Sequence, residues 1–221
     1  DEITNFRTNA LPKMKETISQ FEELTDKGEK KIIELERYLG ELSGNRVFRD
    51  PEKYYIAFYG NPKKDSLWSW SFEGHHISLN FTVLNERISA SPRFMGTNPA
   101  EITEGPLKGQ RVLNKEEDLA FELINSMDEK QRAKTIFKSI AFPDILTSNK
   151  SKVEPLEDEG IKVKNLNENQ KAILTELIKE YLLTLPKELA KERYRAIQIA
   201  EFDDIRFAWA GSIDIAQGHY Y

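Results

Sequence analysis

An alternation of apolar and polar residues between Leu67 and Leu84 is the strongest constraint on how this 221-residue chain folds. Such alternation is typical of a β-strand with one buried face and one solvated face. The apolar residues change from even to odd positions at Gly74: Trp68, Trp70 and Phe72 precede it, and Ile77, Leu79, Phe81 and Val83 follow it. Because a regular strand cannot switch faces, the sequence predicts one long strand with a β-bulge at Gly74.

The predicted bulge collects polar side chains on one face of the strand. Glu73, His76 and Asn80 fall on this face, whereas His75 falls near the core side. Bulges occur often beside active sites, because they re-aim side chains. We therefore predict Glu73 and His76 as catalytic residues, with Glu73 as base or orienter and His76 as acid or base, and Asn80 as a ligand-binding residue.

All three histidines and all three tryptophans lie in two short windows, residues 68–76 and 209–221. Histidine is the commonest metal ligand and acts as an acid or base near neutral pH. This concentration predicts a metal site formed by His75, His76 and His219, with a divalent metal such as zinc as the candidate cofactor.

Two alternatives to this metal site stay open at the level of sequence. Consecutive residues of a strand point to opposite faces, so His75 and His76 reach one metal only where the bulge distorts the strand. A core histidine that is hydrogen-bonded by Glu73 or Asn80 explains the same residues without a metal. A metal site would need a carboxylate as well, for which Glu73 or Asp214 could serve.

Four aromatic side chains are predicted ligand-binding residues, since tryptophan and tyrosine offer rigid amphipathic surface. They are Trp68, Trp70, Trp209 and Tyr220. The competing interpretation places the tryptophans in the core, because they stand at apolar strand positions.

The composition excludes several classes of protein. A net charge of −5 with interspersed acids and bases argues against a nucleic-acid partner, which needs a basic face. No apolar run is long enough to predict a membrane-spanning segment. The absence of cysteine excludes disulfides and thiolate chemistry, and it fits a cytosolic protein as well as an envelope or secreted one.

The remaining pattern predicts an α+β fold, an antiparallel β-sheet with helices packed on one face and an N-terminal helical hairpin. Residues 1–221 are predicted to form a single domain. Within it, residues 1–45 form the hairpin, and residues 143–165 form a long surface loop. Further helices are predicted over residues 114–127, 128–139, 167–185 and 186–200, with strands over residues 54–59, 87–91 and 205–210.

Several motifs resemble those of the domain-of-unknown-function 3500 family over about residues 28–221. They are Tyr54-Tyr55, Phe58-Tyr59-Gly60-Asn61-Pro62, Trp68-x-Trp70-x-Phe72-x-Gly74-His75-His76-x-Ser78-x-Asn80, Pro92-x-Phe94-x-Gly96-x-Asn98-Pro99, Phe207-Ala208-Trp209-Ala210-Gly211 and His219-Tyr220-Tyr221. The resemblance implies an uncharacterised bacterial or fungal protein, often made with a secretion signal. It therefore favours a secreted or periplasmic location without excluding the cytoplasm, and it implies no particular reaction.

Two functions from different classes are compatible with these residues. The first is a metal-assisted, hydrolase-like enzyme with a histidine-centred site. The alternative is a non-catalytic extracellular module that binds a sugar or peptide in an aromatic groove. The expected partner is thus a small molecule, a sugar or a peptide.

Overall fold

The computed structural model describes residues 30–85, 87–148, 150, 152 and 157–221. The first helix of the predicted N-terminal hairpin lies outside these residues. Its second helix is present as α1, Lys30–Ser43. The predicted loop over residues 143–165 is described in part, and its last five residues form the short strand β6, Ile161–Lys162, and a 3-10 turn, Val163–Asn165.

The chain divides into two compact units. The sheet unit comprises residues 1–114 and 184–190, and the helical unit comprises residues 115–183 and 191–221. The single domain expected from the sequence stays a prediction.

The sheet unit is built on four antiparallel strands in the order β1-β2-β3-β4, so each strand pairs with its neighbours in the chain. The strands are β1 Tyr55–Tyr59, β2 Leu67–Gly74, β3 Ile77–Leu84 and β4 Arg87–Met95. This arrangement confirms the predicted antiparallel sheet and the α+β class.

The bulge that was predicted at Gly74 is wrong, because the chain reverses there. Strands β2 and β3 form a hairpin in which Gly74 pairs with Ile77, and His75 and His76 are its two-residue turn. Every cross-strand pair joins an even-numbered residue to an odd-numbered one, as in Trp70 with Phe81. Since paired residues share a face, the hairpin accounts for the change of parity without a bulge.

The predicted polar face is present in the hairpin except at His76, which lies in the turn near Glu36 and does not share a face with Glu73 and Asn80. The other residues of this face pair across the hairpin: Ser69 with Thr82, Ser71 with Asn80, and Glu73 with Ser78. The pairing of β4 also extends past Pro92, where the sequence had predicted its end. One extra residue stands in β4 between Ala90 and Arg93, and this β-bulge accommodates the proline.

Helix α1 packs on the apolar face of the sheet. Its buried Ile32 joins a cluster made by the apolar residues of the hairpin, namely Phe72, Ile77, Leu79 and Phe81. One turn further along, Leu35 and Leu39 pack against the buried Ile102. The three helix residues recur at intervals of three and four, which is the spacing of one helix face.

The helical unit holds most of the remaining elements. Its helices are α2 Asn114–Asn125, α3 Glu129–Thr135, α4 Glu168–Leu182 and α5 Lys187–Ile199, of which α2 and α5 extend into the sheet unit. Its other short strands are β5 Ile136–Lys138, β7 Arg206–Phe207, β8 Trp209–Gly211 and β9 His219–Tyr220. Helix α3 is shorter than predicted, because the residues that follow Thr135 form strand β5.

Capping boxes fix the starts of two of these helices. The side chain of Asp128 accepts a hydrogen bond from the backbone of Gln131, and that of Asn167 accepts one from Gln170. In both boxes the glutamine side chain returns a hydrogen bond to the cap residue's backbone. The two helices begin one residue after the predicted starts at 128 and 167, because Asp128 and Asn167 are the cap residues.

A candidate metal centre at the His75–His76 turn

A buried carboxylate on α1 lies beneath the histidine turn. Glu36 is 1% exposed and stands on the same helix face as Ile32, Leu35 and Leu39. A charged side chain is almost never fully buried unless it is paired. Sequence reasoning missed Glu36, although a glutamate within the apolar stripe of a helix was a signal that could have found it.

Three basic side chains surround this carboxylate. Arg49 donates a hydrogen bond from Nη1 to Glu36 Oε1 at 2.7 Å. The second oxygen, Oε2, lies 2.6 Å from Nδ1 of His75, and Nε2 of His76 lies 3.8 Å from Oε1. Arg49 is itself held by a 3.2 Å hydrogen bond from Nη2 to the carbonyl oxygen of Asn98. The buried charge of Glu36 is thereby compensated.

The turn is anchored through its backbone carbonyl groups. The hydroxyl group of Tyr54 donates to the carbonyl oxygen of His75 at 2.7 Å, and the N–H of Gly96 donates to that of His76 at 2.9 Å. His76 has a φ of 65°, a left-handed conformation that is uncommon outside glycine although enriched in histidine. These contacts hold the two imidazole rings 4.1 Å apart between centroids.

Two glycines leave the space that this arrangement needs. A side chain at Gly74 would collide with the ring of Tyr54, which lies directly over it. A Cβ atom at Gly96 would lie 2.8 Å from the ring of Phe94 and 3.6 Å from Nδ1 of His76. Glycine at position 74 therefore lets the ring of Tyr54 approach the turn closely, and glycine at position 96 leaves room for the ring of Phe94.

Burial and neighbouring charges set the protonation of the site. Burial lowers the pKa of His76, and the adjacent His75 and Arg49 lower it further, whereas Glu36 opposes them. This favours the neutral imidazole, which is the form that binds metals. Burial and the nearby Glu36 raise the pKa of Tyr54 to about 12, so its hydroxyl group remains a donor at neutral pH.

The donor atoms of this cluster suit a metal ion. One ligand atom from each of Glu36, His75 and His76 can be chosen so that all three lie within 4.8 Å of one another. Within the described part of the chain, no other set of three such residues meets this criterion. The cluster contains His75 and His76 of the three predicted metal ligands, and the carboxylate beside them is Glu36.

Glu73 and Asn80 lie on the polar face of the sheet, opposite the face that α1 covers. Glu73 is exposed. Asn80 donates a hydrogen bond from its side-chain nitrogen to Oγ of Ser78 at 3.1 Å. The structure does not bring either residue into the Glu36 cluster, and their catalytic and binding roles stay predictions.

Trp68 and Trp70 lie on the apolar face of β2 and are half-buried. The ring of Trp70 stacks on Phe81 with centroids 4.3 Å apart and an interplanar angle of 11°. One face of the Trp70 ring is therefore covered by a core residue of the sheet unit.

His219 belongs to the helical unit, where its two ring nitrogens have separate partners. Nε2 lies 3.0 Å from Oε1 of Glu117, and Nδ1 lies 3.0 Å from the carbonyl oxygen of Gln217. Asp214 lies nearby in the sequence, in an exposed turn where it accepts the backbone N–H of Ala216.

The two other predicted ligand-binding aromatics, Trp209 and Tyr220, also lie in the helical unit. Trp209 is 0% exposed, and its Nε1 donates to the carbonyl oxygen of Ser212 at 3.1 Å. The hydroxyl group of Tyr220 accepts the N–H of Leu146 at 3.2 Å, and its ring meets that of Phe142 edge to face. Trp209 is therefore a core residue of this unit.

Fold and site together define an α+β protein with a buried carboxylate held under a histidine turn. The family model described as "Protein of unknown function (DUF3500)" matches residues 6–221, and the chain belongs to this family. This confirms the family that the motifs indicated. No curated protein and no solved structure matches the chain. Among the described residues, no helix is long and apolar enough to cross a membrane.

Proposed function

We propose that Glu36, His75 and His76 bind a divalent metal ion such as zinc, and that the protein is a metal-assisted, hydrolase-like enzyme. The observation that carries this proposal is a buried carboxylate with two imidazoles whose ligand atoms lie within 4.8 Å. Two histidines and one glutamate are a recurrent ligand set of catalytic zinc. Three protein ligands leave a coordination position for water or substrate.

The contacts that the two histidines make with the two oxygens of Glu36 lie on either side of the spacing of zinc ligands. Zinc with bonds of about 2.0 to 2.1 Å places tetrahedral ligand atoms roughly 3.4 Å apart. The distance of 3.8 Å between His76 Nε2 and Glu36 Oε1 is slightly longer than this, and that of 2.6 Å between His75 Nδ1 and Oε2 is shorter. The short contact has the length of a hydrogen bond, whose proton a metal ion would replace.

The positive charge of Arg49 disfavours a metal ion at this position. Its guanidinium group neutralises Glu36 from 2.7 Å, and a cation placed there would be repelled by it. The Arg49 side chain is 18% exposed, whereas that of Glu36 is 1% exposed. The arginine is therefore the partner that can move toward solvent when a metal ion binds.

A metal ion in this position would supply the chemistry of a hydrolase. It lowers the pKa of its bound water to about 7 and polarises the bond to be cleaved. The anchored turn would hold two of the three ligands in place for this. In this proposal His76 is a ligand, and Glu73 has no part beside the ion because it lies on the other face of the sheet.

Metal analysis of a matched set of variants tests the proposal. The protein is treated with a chelator, dialysed against zinc and analysed by mass spectrometry, together with His75→Ala, His76→Ala and the control Glu73→Gln. We expect about one zinc per chain in the wild type and in Glu73→Gln, and its loss in both histidine variants. Equal zinc content in all four proteins would reject the site. If the protein binds zinc at this site but does not hydrolyse ester, amide or phosphoester probes, the proposal is limited to metal binding.

The alternative of an extracellular sugar- or peptide-binding module has less support. Its aromatic groove needs exposed rings, and Trp209 has no exposed surface. A small molecule, sugar or peptide fits the proposal equally well as the substrate of the metal site. The secreted or periplasmic location implied by the family resemblance belongs to the proposal too, since extracellular hydrolases act on such substrates.

A further inference from the structure

Strand β1 is an edge of the four-stranded sheet and carries an unusual amount of exposed apolar surface. Four of its five side chains are more than half exposed: Tyr55 64%, Ile56 55%, Phe58 55% and Tyr59 57%. Within the described part of the chain, β1 pairs with β2 alone. An edge strand of this kind is a template for pairing with another strand.

The two edges of the sheet are protected very differently. Strand β4, at the opposite edge, carries Arg87, Arg93, Pro92 and the bulge between Ala90 and Arg93. Charges, proline and bulges are the devices by which edge strands avoid pairing. Strand β1 has none of them, and its register with β2 runs without a shift. Its backbone therefore remains suited to accept a further strand.

The sequence of β1 indicates which strand could pair with it. Tyr-Ile-Ala-Phe-Tyr reads nearly the same in both directions about Ala57. Around a two-fold axis, antiparallel pairing places Tyr55 opposite the partner's Tyr59 on one face, and Ile56 opposite the partner's Phe58 on the other. A two-fold interface requires such self-complementarity, because the same patch faces itself.

The charges that flank β1 are also complementary to a second copy. Asp50 and Glu52 precede the strand, and Lys63 and Lys64 follow it. Some charged residues near β1 have contacts within the chain: Asp50 accepts the N–H of Glu52, Lys53 donates to the carbonyl oxygen of Val47, and Asp65 accepts the N–H of Asn61. In an antiparallel pair, the acidic start of one strand lies beside the basic end of the other.

We infer that β1 pairs with β1 of a second copy of this chain, joining two sheets into one of eight strands. Aromatic and β-branched cross-strand pairs stabilise such a contact, and its polar rim is formed by the acidic residues before one strand and the basic residues after the other. The inference does not depend on the metal site.

Sedimentation equilibrium on the 221-residue protein tests the inference. Phe58→Lys puts a charge on the unprotected edge, and we expect it to raise the dimer dissociation constant by at least roughly tenfold. The matched control is Ile88→Lys, at a similarly exposed position of β4, which leaves the dimer unchanged. Circular dichroism shows whether each variant is folded.

A charge reversal tests the register if Phe58→Lys fails to fold. Glu52→Lys places a positive charge beside the basic residues of the partner strand, and we expect it to weaken the dimer. Adding Lys64→Glu should restore the dimer. A wild-type protein that is monomeric at all concentrations reached, or a dimer that neither Phe58→Lys nor Glu52→Lys weakens, would overturn the inference. Binding of a different protein by β1 would appear as a monomer in this experiment and would count against it.

Discussion

The carboxylate of Glu36 lies 2.6 Å from Nδ1 of His75, although 39 residues separate them in the chain. The contact joins the buried face of α1 to the turn between β2 and β3. It gives this buried charge an imidazole partner, and it places a second imidazole, that of His76, beside the same carboxylate.

Replacing Glu36 tests its role in stability and its role in metal binding. Glu36→Gln keeps the shape but removes the charge that compensates Arg49, so we expect a loss of about 2 to 3 kcal/mol in the free energy of unfolding. Zinc affinity should fall at least roughly 100-fold, since a ligand is lost. Urea unfolding and calorimetric zinc titration measure the two effects. Glu34→Gln, an exposed position on the same helix, is the control and should change neither.

Arg49 is expected to compete with the metal ion. Arg49→Met removes the charge that occupies Glu36 Oε1, so zinc should bind several-fold more tightly while the metal-free protein becomes less stable. Arg49→Lys keeps a positive charge and should bind zinc more weakly than Arg49→Met. Thermal unfolding with and without zinc measures both quantities, and weaker zinc binding by Arg49→Met would show that Arg49 supports the site instead.

The raised pKa of Tyr54 predicts a loss of stability at high pH. Between pH 10 and about 12 the folded chain keeps a phenolic proton that the unfolded chain releases, so the free energy of unfolding falls as pH rises through this window. Tyr54→Phe removes this part of the pH dependence. It also leaves the carbonyl oxygen of His75 without its hydroxyl donor, at a cost of about 1 kcal/mol that persists at neutral pH.

Urea unfolding of the wild type and Tyr54→Phe at several pH values separates these two effects. The difference in stability between the two proteins should shrink as pH rises above 10. A difference that stays constant would mean that Tyr54 ionises with an ordinary pKa in the folded protein.

Trp209 is expected to act through packing. Its ring is fully buried and stacks beside His219 and Tyr221, with centroids 5.8 and 6.0 Å away. Trp209→Ala should therefore cost about 3 to 5 kcal/mol in the free energy of unfolding. Trp68→Ala, at a half-buried position, should cost clearly less, and the reverse order in urea unfolding would contradict the assignment of Trp209 to the core.

The alternation around Gly74 correctly grouped the strand residues that share a face, but it placed His76 with Glu73 and did not decide how the chain runs. A bulge and a two-residue turn both switch the parity of a strand. Hairpin turns of this length are usually marked by Asn-Gly or Asp-Gly, and His75-His76 carries no such mark. The positive φ of His76 is held by tertiary contacts from Tyr54 and Gly96, which the local sequence does not encode.

The residue types of the sequence singled out His75 and His76, which lie in the Glu36 cluster. The carboxylates that the sequence offered were Glu73 and Asp214, and the structure brings neither into this cluster. Glu73 faces the opposite side of the sheet. Glu36 is brought in by the packing of α1, and such long-range placement depends on the fold as a whole. By contrast, the helices after Asp128 and Asn167 begin within one residue of their predicted starts, because a capping box is a local pattern.

Anomalous diffraction at the zinc absorption edge, from crystals of the wild-type protein soaked with zinc, tests the central claim most directly. We predict one strong peak within bonding distance, about 2.0 to 2.2 Å, of the carboxylate of Glu36 and of ring nitrogens of His75 and His76. The guanidinium group of Arg49 should have moved away from Glu36 Oε1 in the same crystals. Peaks confined to other residues, with Arg49 and His75 still bonded to Glu36, would contradict the account.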